Sequence, residues 1–121
     1  MAAPNIVDVT SIFGKTIGAA VGTSLAVVLN NAASSNKVLK VNTILLSNVD
    51  GTNDCTVRVS FNDGGSARYL AYDVDLPAKT SLVVVSKDQQ IYLEENDSIS
   101  ASASAASDAQ IIISYEELDD A

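Results

Sequence analysis

Fifteen carboxylates, four tyrosines and a single cysteine make up the reactive inventory of this 121-residue chain, which has no histidine and no tryptophan. Without histidine, the side chain that most readily exchanges a proton or ligates a metal near neutral pH is missing. His-containing triads and His-containing zinc sites are therefore excluded. Among the carboxylates, Asp50-Gly51-Thr52-Asn53-Asp54 offers the hard oxygen donors that Ca²⁺ prefers. It lacks the alternating ligand spacing and the distal bidentate Glu of a helix-flanked calcium loop, and it reads as a β-turn that needs no ion. Glu94-Glu95-Asn96-Asp97 poses the same question and receives the same answer, a turn that keeps like charges in water. Paired carboxylates alone could hydrolyse a glycoside. The aromatic platforms of a sugar site are sparse, however, with Tyr69, Tyr72, Tyr92 and Tyr115 on separate segments. Cys55 alternates in phase with Val57, Val59 and Phe61, which predicts a small core side chain and not a reactive thiol. The sequence thus points to no catalytic residue, no cofactor-binding residue and no metal ligand; neither a cofactor nor an enzyme activity is expected.

The formal net charge is −8, and the imbalance is local. Residues 1–93 carry seven acidic and seven basic side chains, whereas Glu94 to Ala121 carry eight acids and no Lys or Arg. Phosphate backbones are bound by clustered Lys and Arg that release counterions. This chain is therefore expected to bind neither nucleic acid nor an anionic membrane, and its acidic end is expected to be a solvated face. A lone cysteine excludes an intramolecular disulfide. No basic segment precedes an apolar run at the N-terminus, and the apolar stretch Ile17 to Leu29 is broken by Gly18, Gly22, Thr23 and Ser24. Synthesis in a cytoplasm as a soluble protein is the expectation.

The segments that must hold these residues read as strands. Alternate side chains of a strand face opposite sides of its sheet. Asp54 to Phe61 alternates with Cys55, Val57, Val59 and Phe61 on the inner face. From Arg68 to Leu76 the same rule puts Leu70, Tyr72, Val74 and Leu76 inward and Tyr69, Ala71, Asp73 and Asp75 outward. Ser98 to Ser104 alternates hydroxyl with apolar, which lines one face with serines. Further β-rich runs span Ser24 to Asn30, Lys37 to Asn48, Thr80 to Ser86, Gln90 to Leu93 and Ala109 to Tyr115. Turn residues separate them at Asp50-Gly51, Asn62-Asp63-Gly64-Gly65, Pro77 and Asn96-Asp97. The predicted fold is all-β, an antiparallel β-sandwich or jelly roll of about eight strands with an apolar N-terminal arm. Residues 1–22 form the arm or a first strand, and residues 23–121 a single sandwich domain. Val83-Val84-Val85 and Ile111-Ile112-Ile113 are apolar at consecutive positions. A two-layer sandwich covers one face of each sheet, so the outward members of these runs predict a homo-oligomer interface, with Val83, Val85 and Ile112 as its candidates.

Several stretches resemble the small β-rich virion structural proteins of tailed phages of marine bacteria, cyanophages included. The likeness lies in Met1-Ala2-Ala3-Pro4-Asn5 with Gly14-Lys15-Thr16, in Asn48-Val49-Asp50-Gly51-Thr52-Asn53, and in Val84-Val85-Ser86-Lys87. It continues in Ile91-Tyr92-Leu93-Glu94-Glu95-Asn96-Asp97-Ser98 and Ser114-Tyr115-Glu116-Glu117, so it runs over most of the chain. Asn96 stands where that pattern has Gly, and Asn tolerates the same left-handed backbone. The resemblance implies a non-enzymatic virion component and supplies no functional residues. With the acidic charge and the doubly apolar strands, it points to a head decoration or cement protein on the outer capsid surface. Such a protein is expected to associate with the major capsid protein or another virion protein and to form a homo-oligomer, the trimer being favoured by the resemblance. Ile6, Val7, Val9, Ile12 and Phe13 are the candidate capsid-contact arm. A neck, tail or fibre position is the alternative within the class; a carbohydrate-binding jelly-roll module for host attachment is the alternative outside it.

Overall fold

The computed structural model describes residues 11–105 and 107–119. Among them, nine strands form two antiparallel sheets and the only helical element is a 3₁₀ turn at Lys87–Gln89. The strands are β1 (Ser11–Ala20), β2 (Ala26–Asn30), β3 (Lys37–Asn48), β4 (Cys55–Asp63), β5 (Ser66–Leu76), β6 (Ser81–Val85), β7 (Ile91–Leu93), β8 (Asp97–Ala103) and β9 (Ala109–Asp119). One sheet runs β1-β9-β3-β6, with β7 also on β3, and the other runs β2-β8-β4-β5. The pairing is nested: β1 with β9, β2 with β8, β3 with β6 and β7, and β4 with β5. This is the order produced by rolling one long antiparallel hairpin into two layers, the jelly roll. The expected eight strands become nine because Ser11–Ala20, within the segment expected as an arm or a first strand, pairs along β9 as β1.

The innermost hairpin shows why the chain turns where it does. Asp63 pairs with Ser66, which leaves a two-residue loop with Gly64 at φ +67° and Gly65 at φ +137°. Tight hairpin loops of this kind need positive φ, which glycine adopts without a steric cost. The core lies between the sheets. Val41, Ile44, Leu46, Val57, Val59, Leu93, Ile99, Ile111 and Ile113 are fully buried there, and Cys55 sits among them. Each large aliphatic side chain buried in this way is worth about 1.5–3 kcal/mol of transfer free energy. Burial, with the neighbouring Asp108, Asp54 and Asp50 carboxylates, pushes the Cys55 thiol pKa up, consistent with its expected role as a core side chain.

Strict alternation fails at the bulges, and this moves several side chains to the face opposite the expected one. A bulge adds a residue to one strand and flips the phase of the residues beyond it. In β5 the pairs Val57↔Val74, Val59↔Ala71 and Ser60↔Tyr69 are separated by register shifts. Ala71 is consequently buried, whereas Leu70 and Tyr72 are exposed, the reverse of their predicted sides. In β6 the pairs Ile44↔Val85 and Leu45↔Val83 bracket a bulge at Val84. Val85, a predicted interface residue, therefore points into the core at 2% exposure, while Val83 stays outside at 60%.

Candidate functional site

The two sheets present chemically different outer faces. On the five-stranded sheet, Gly18, Ile112, Leu45 and Val83 are successive cross-strand partners from β1, β9, β3 and β6. They form a single row across the sheet, with Ile112 45% exposed. The adjacent row is polar: Gln110 lies opposite Ser47, and Ser47 shares a hydroxyl hydrogen bond of 3.0 Å with Ser81. Beside Ile112 the absence of a side chain at Gly18 helps open a shallow depression of about 340 Å³, shared with Ala19 and Ala20.

On the four-stranded sheet the outer face is hydroxyl- and amide-rich. Every residue of β8 is buried, including Ser98, Ser100 and Ser102 on its outer side. Asn62 of β4 satisfies two of them, donating through Nδ2 to Ser98 Oγ (3.0 Å) and Ser100 Oγ (2.7 Å). It also accepts from Ser60 Oγ at 3.1 Å, so one amide ties Ser60 to two members of the serine ladder expected from the sequence. Further along the same two strands lies a cavity of about 480 Å³ lined by Thr23, Thr56, Arg58, Asp73, Ser102, Ala103 and Ser104. The β5 bulge supplies one wall. Asp73 sits there at φ +51°, a backbone state that Asp tolerates better than most residues. Arg58 Nε and Nη2 donate to the two Asp73 carboxylate oxygens at 2.6 and 3.1 Å. That bidentate pair holds Asp73 below and Arg58 above their usual pKa values. The guanidinium carbon also lies 4.3 Å from the centroid of the Tyr72 ring, and Tyr72 meets Tyr69 edge-on with ring centroids 4.9 Å apart.

The acidic turns are built into the fold more tightly than expected. Asp50 Oδ1 accepts from the backbone N–H of Thr52 (2.8 Å) and Asn53 (3.2 Å), and Asp54 Oδ1 accepts from Ala78 N–H (2.9 Å). These carboxylates cap a turn, and the bonds lower the Asp50 pKa. The turn at 94–97 departs from expectation: Glu95 and Asp97 are buried, not solvated. Glu95 Oε2 accepts from Asn36 N–H at 2.6 Å and Asp97 Oδ2 from Glu94 N–H at 3.0 Å, while Asp97 Oδ1 has no partner among the described residues. Desolvation, with the neighbouring Asp63 and Glu94 carboxylates, raises the Asp97 pKa. Asn96 takes φ +72°, the left-handed state anticipated for it. The acidic end is also paired in part: Glu117 meets Lys15 (3.3 Å) and Lys37 (3.5 Å), and Glu116 meets Lys40 (3.6 Å). Among the described residues no three His, Cys, Asp or Glu side chains converge as a metal site would require.

Of the residues singled out in the sequence, Val83 and Ile112 share the exposed apolar row and Val85 does not. Ile12 and Phe13 belong to β1, paired with Leu118 and Glu117, and both are exposed. Ile6, Val7 and Val9 lie outside the described residues. The Arg58–Tyr72–Asp73 cluster was missed because period two put Tyr72 and Asp73 on opposite faces, and nothing in the local sequence marks the bulge that reunites them.

No protein-family model matches the chain, and no curated protein gives a significant sequence match. The fold does have solved counterparts. A subunit of Bacillus endospore appendages, described as a family of disulfide-linked pili, superposes with a TM-score of 0.55 at 13% identity, over 92% of this chain and 88% of that one. Two structures of a pentameric capsid protein isolated from metagenomic phage sequences give TM-scores of 0.40 and 0.39 at 14% identity. They match 86% of this chain, which spans 60% and 64% of theirs. The first likeness is one of fold: an all-β sandwich.

Proposed function

We propose that the protein is a non-enzymatic structural subunit of a phage virion, a decoration or cement protein that associates with its own copies and docks on the major capsid protein or another virion protein. The observation that carries this reading is the exposed row Gly18-Ile112-Leu45-Val83 on the outer face of the five-stranded sheet. A monomer gains nothing by placing Val83 and Ile112 in water, whereas an oligomer covers them. The sequence resemblance to phage virion proteins supplies the setting, and a trimer remains the favoured assembly on that ground. In this reading residues 1–10, which precede β1, carry the capsid contact together with Ile12 and Phe13.

Sedimentation of the full chain at micromolar concentrations tests the association. A homo-oligomer is expected, and Val83→Asp and Ile112→Asp should each give a folded monomer, because an unpaired carboxylate in an interface costs several kcal/mol. A wild-type monomer overturns the assembly. Electron microscopy of particles with this chain labelled tests its position: density over the head is expected, and density confined to neck, tail or fibre rejects the decoration role. Deleting residues 1–10 should weaken binding to shells and leave the oligomer intact.

A further inference from the structure

We infer that β1 is a pairing edge: its outer side takes β1 of a second copy, antiparallel and about a two-fold axis at Thr16, so that the five-stranded sheets of two molecules run on as one. This contact is made by backbone groups in the plane of the sheet and not by the outward side chains of the apolar row, so it stands independently of the assembly proposed for that row.

The edge strands of an open sheet carry free N–H and C=O groups that invite a further strand, and soluble proteins blunt such edges with short strands, bulges and charges. Three of the four edges here are blunted. β2 has five residues and a bulge at Val28; β6 has five and a bulge at Val84, with three-residue β7 on the same side of β3; β5 is bulged twice and carries Arg68, Asp73 and Asp75. β1 is long and regular. Its ten residues pair with β9 from Ser11↔Asp119 to Ala20↔Gln110 without a register shift, and all but Ser11 and Ile17 are exposed. Its one charge, Lys15, reaches back over β9 to Glu117 at 3.3 Å, and no described strand pairs with its outer side. On the next pair of the same register, Val21 N–H donates to Ala109 O at 2.9 Å. Antiparallel ladders alternate, so the odd-numbered residues of β1 bond to β9, and the N–H and C=O groups of Ile12, Gly14, Thr16, Gly18 and Ala20 point away from it. Neither Gly14 nor Gly18 has a positive φ, and a Cβ at either would meet nothing closer than 3.9 Å, so the fold itself does not require glycine there. Glycine inside a strand weakens it and marks a place where another backbone comes close.

The partner that fits this edge is the edge itself. Opposite residues of an antiparallel pair share a face, so a two-fold axis between two copies of one strand passes through a residue that meets its own copy. Centred on Lys15, the pairing sets like charges directly opposite, which is destabilising. Centred on Thr16, it joins Thr16 to Thr16, Lys15 to Ile17, Gly14 to Gly18, Phe13 to Ala19 and Ile12 to Ala20 of the second copy. A centre nearer either end overlaps fewer residues. In the Thr16 register the exposed Ile12 and Phe13 each fall beside an alanine, and the even-numbered residues whose backbone groups point outward form the hydrogen-bonded pairs. The Ile12 side chain stays on the outer face, so the capsid contact proposed for it is left open. The chain's charge of −8 is muted here, because Glu116 and Glu117 of β9 are met by Lys15, Lys37 and Lys40. One strand pair buries less than a standard interface, which sets a Kd of about 0.1–1 mM. Copies held side by side in a larger assembly reach effective concentrations of about that order, where the pair would tie neighbours together.

The test is sedimentation and amide hydrogen exchange of the full chain carrying Val83→Asp, in which the row contact is disabled, between about 10 μM and about 2 mM. A monomer is expected at the low end and a dimer at the high end. The amides of Ile12, Gly14, Thr16, Gly18 and Ala20 should exchange several-fold more slowly at the high end, while those of Phe13, Lys15 and Ile17 are slow throughout. Adding Thr16→Pro removes an outward N–H without touching the β9 ladder, so it should keep the melting temperature and abolish the dimer. Thr16→Lys, which sets two ammonium groups on the axis, should raise the Kd about tenfold or more at low salt and less at high salt. The proposal is overturned if Val83→Asp stays monomeric at the highest concentration, if it grows beyond a dimer, or if the folded Thr16→Pro variant dimerises like its parent. It equally fails if the even-numbered amides are already slow in the dilute monomer, which would mean that the chain covers its own edge. Because Val83→Asp lacks the row contact from the start, a failure of the row assembly in the wild type has no bearing on this result.

Discussion

The outer faces of the two sheets use similar backbones for opposite purposes. On the five-stranded sheet a row of Gly18, Ile112, Leu45 and Val83 leaves apolar surface in water with no internal partner. On the four-stranded sheet the equivalent surface of β8 and β4 carries Asn62 hydrogen-bonded to three buried serines, with a cavity lined by Arg58 and Asp73 further along. Apolar side chains left outside gain stability only when another surface arrives. Polar side chains buried under their neighbours stabilise the fold only when every donor finds an acceptor. The first face is thus suited to assembly, the second to self-sufficiency.

The sharpest break of this comparison uses two valines two residues apart in β6. Val85→Ala should destabilise the chain by about 2 kcal/mol, the transfer cost of two methyl-sized groups plus a cavity, because Val85 faces the core. Val83→Ala should change monomer stability by less than about 0.5 kcal/mol. Urea unfolding of both variants decides it, and equal effects would mean that the bulge at Val84 does not exist in solution.

That pair also shows what the sequence could and could not reveal. β4, β5 and β8 were legible from period-two alternation, and β2, β3, β6, β7 and β9 from β-rich runs between turn residues, whereas β1 was legible only as an arm or a first strand; the nested order arises once short antiparallel strands must cover one another's apolar faces. Asn96 and the Gly64-Gly65 loop were legible because positive φ restricts residue choice. The bulges were not. Leu70, Tyr72, Val83 and Val85 keep their residue types whether or not an extra residue intervenes, so their faces depend on the partner strand's register, a long-range property. Nor could the burial of Glu95 and Asp97 be read from a run of acids, since it depends on the backbone amides of residues 36 and 94 meeting them.

On the self-sufficient face, Asn62→Ala removes the donor to Ser98 and Ser100 and the acceptor of Ser60. A loss of about 1–2 kcal/mol in urea unfolding is expected, since buried hydroxyls left unpaired forfeit their solvation. An unchanged midpoint would indicate that water replaces the amide and that this face is open, not closed.

A smaller effect, of opposite sign, is expected at the end of the same sheet, where Asp97 lies directly opposite Asp63 across the strand pair. Asp97 Oδ2 accepts a backbone bond and Oδ1 has no partner among the described residues. Desolvation and the adjacent carboxylates raise its pKa in the folded state, so the fold binds a proton that the unfolded chain has already released. The sign is then fixed: this contribution to stability is fully present below the unfolded pKa and is lost as the pH rises through the folded one. Asp97→Asn keeps the bond from Glu94 N–H through the amide oxygen and supplies an N–H to face Asp63. It should raise stability at neutral pH by about 1 kcal/mol, the net worth of one buried hydrogen bond, and flatten the loss above the unfolded carboxylate pKa. Thermal melts of wild type and variant at acidic and neutral pH measure both effects. A variant less stable than wild type at neutral pH would show that the ionised carboxylate is satisfied in solution, and the four-stranded sheet would then be as completely paired at its acidic end as it is along the serine ladder.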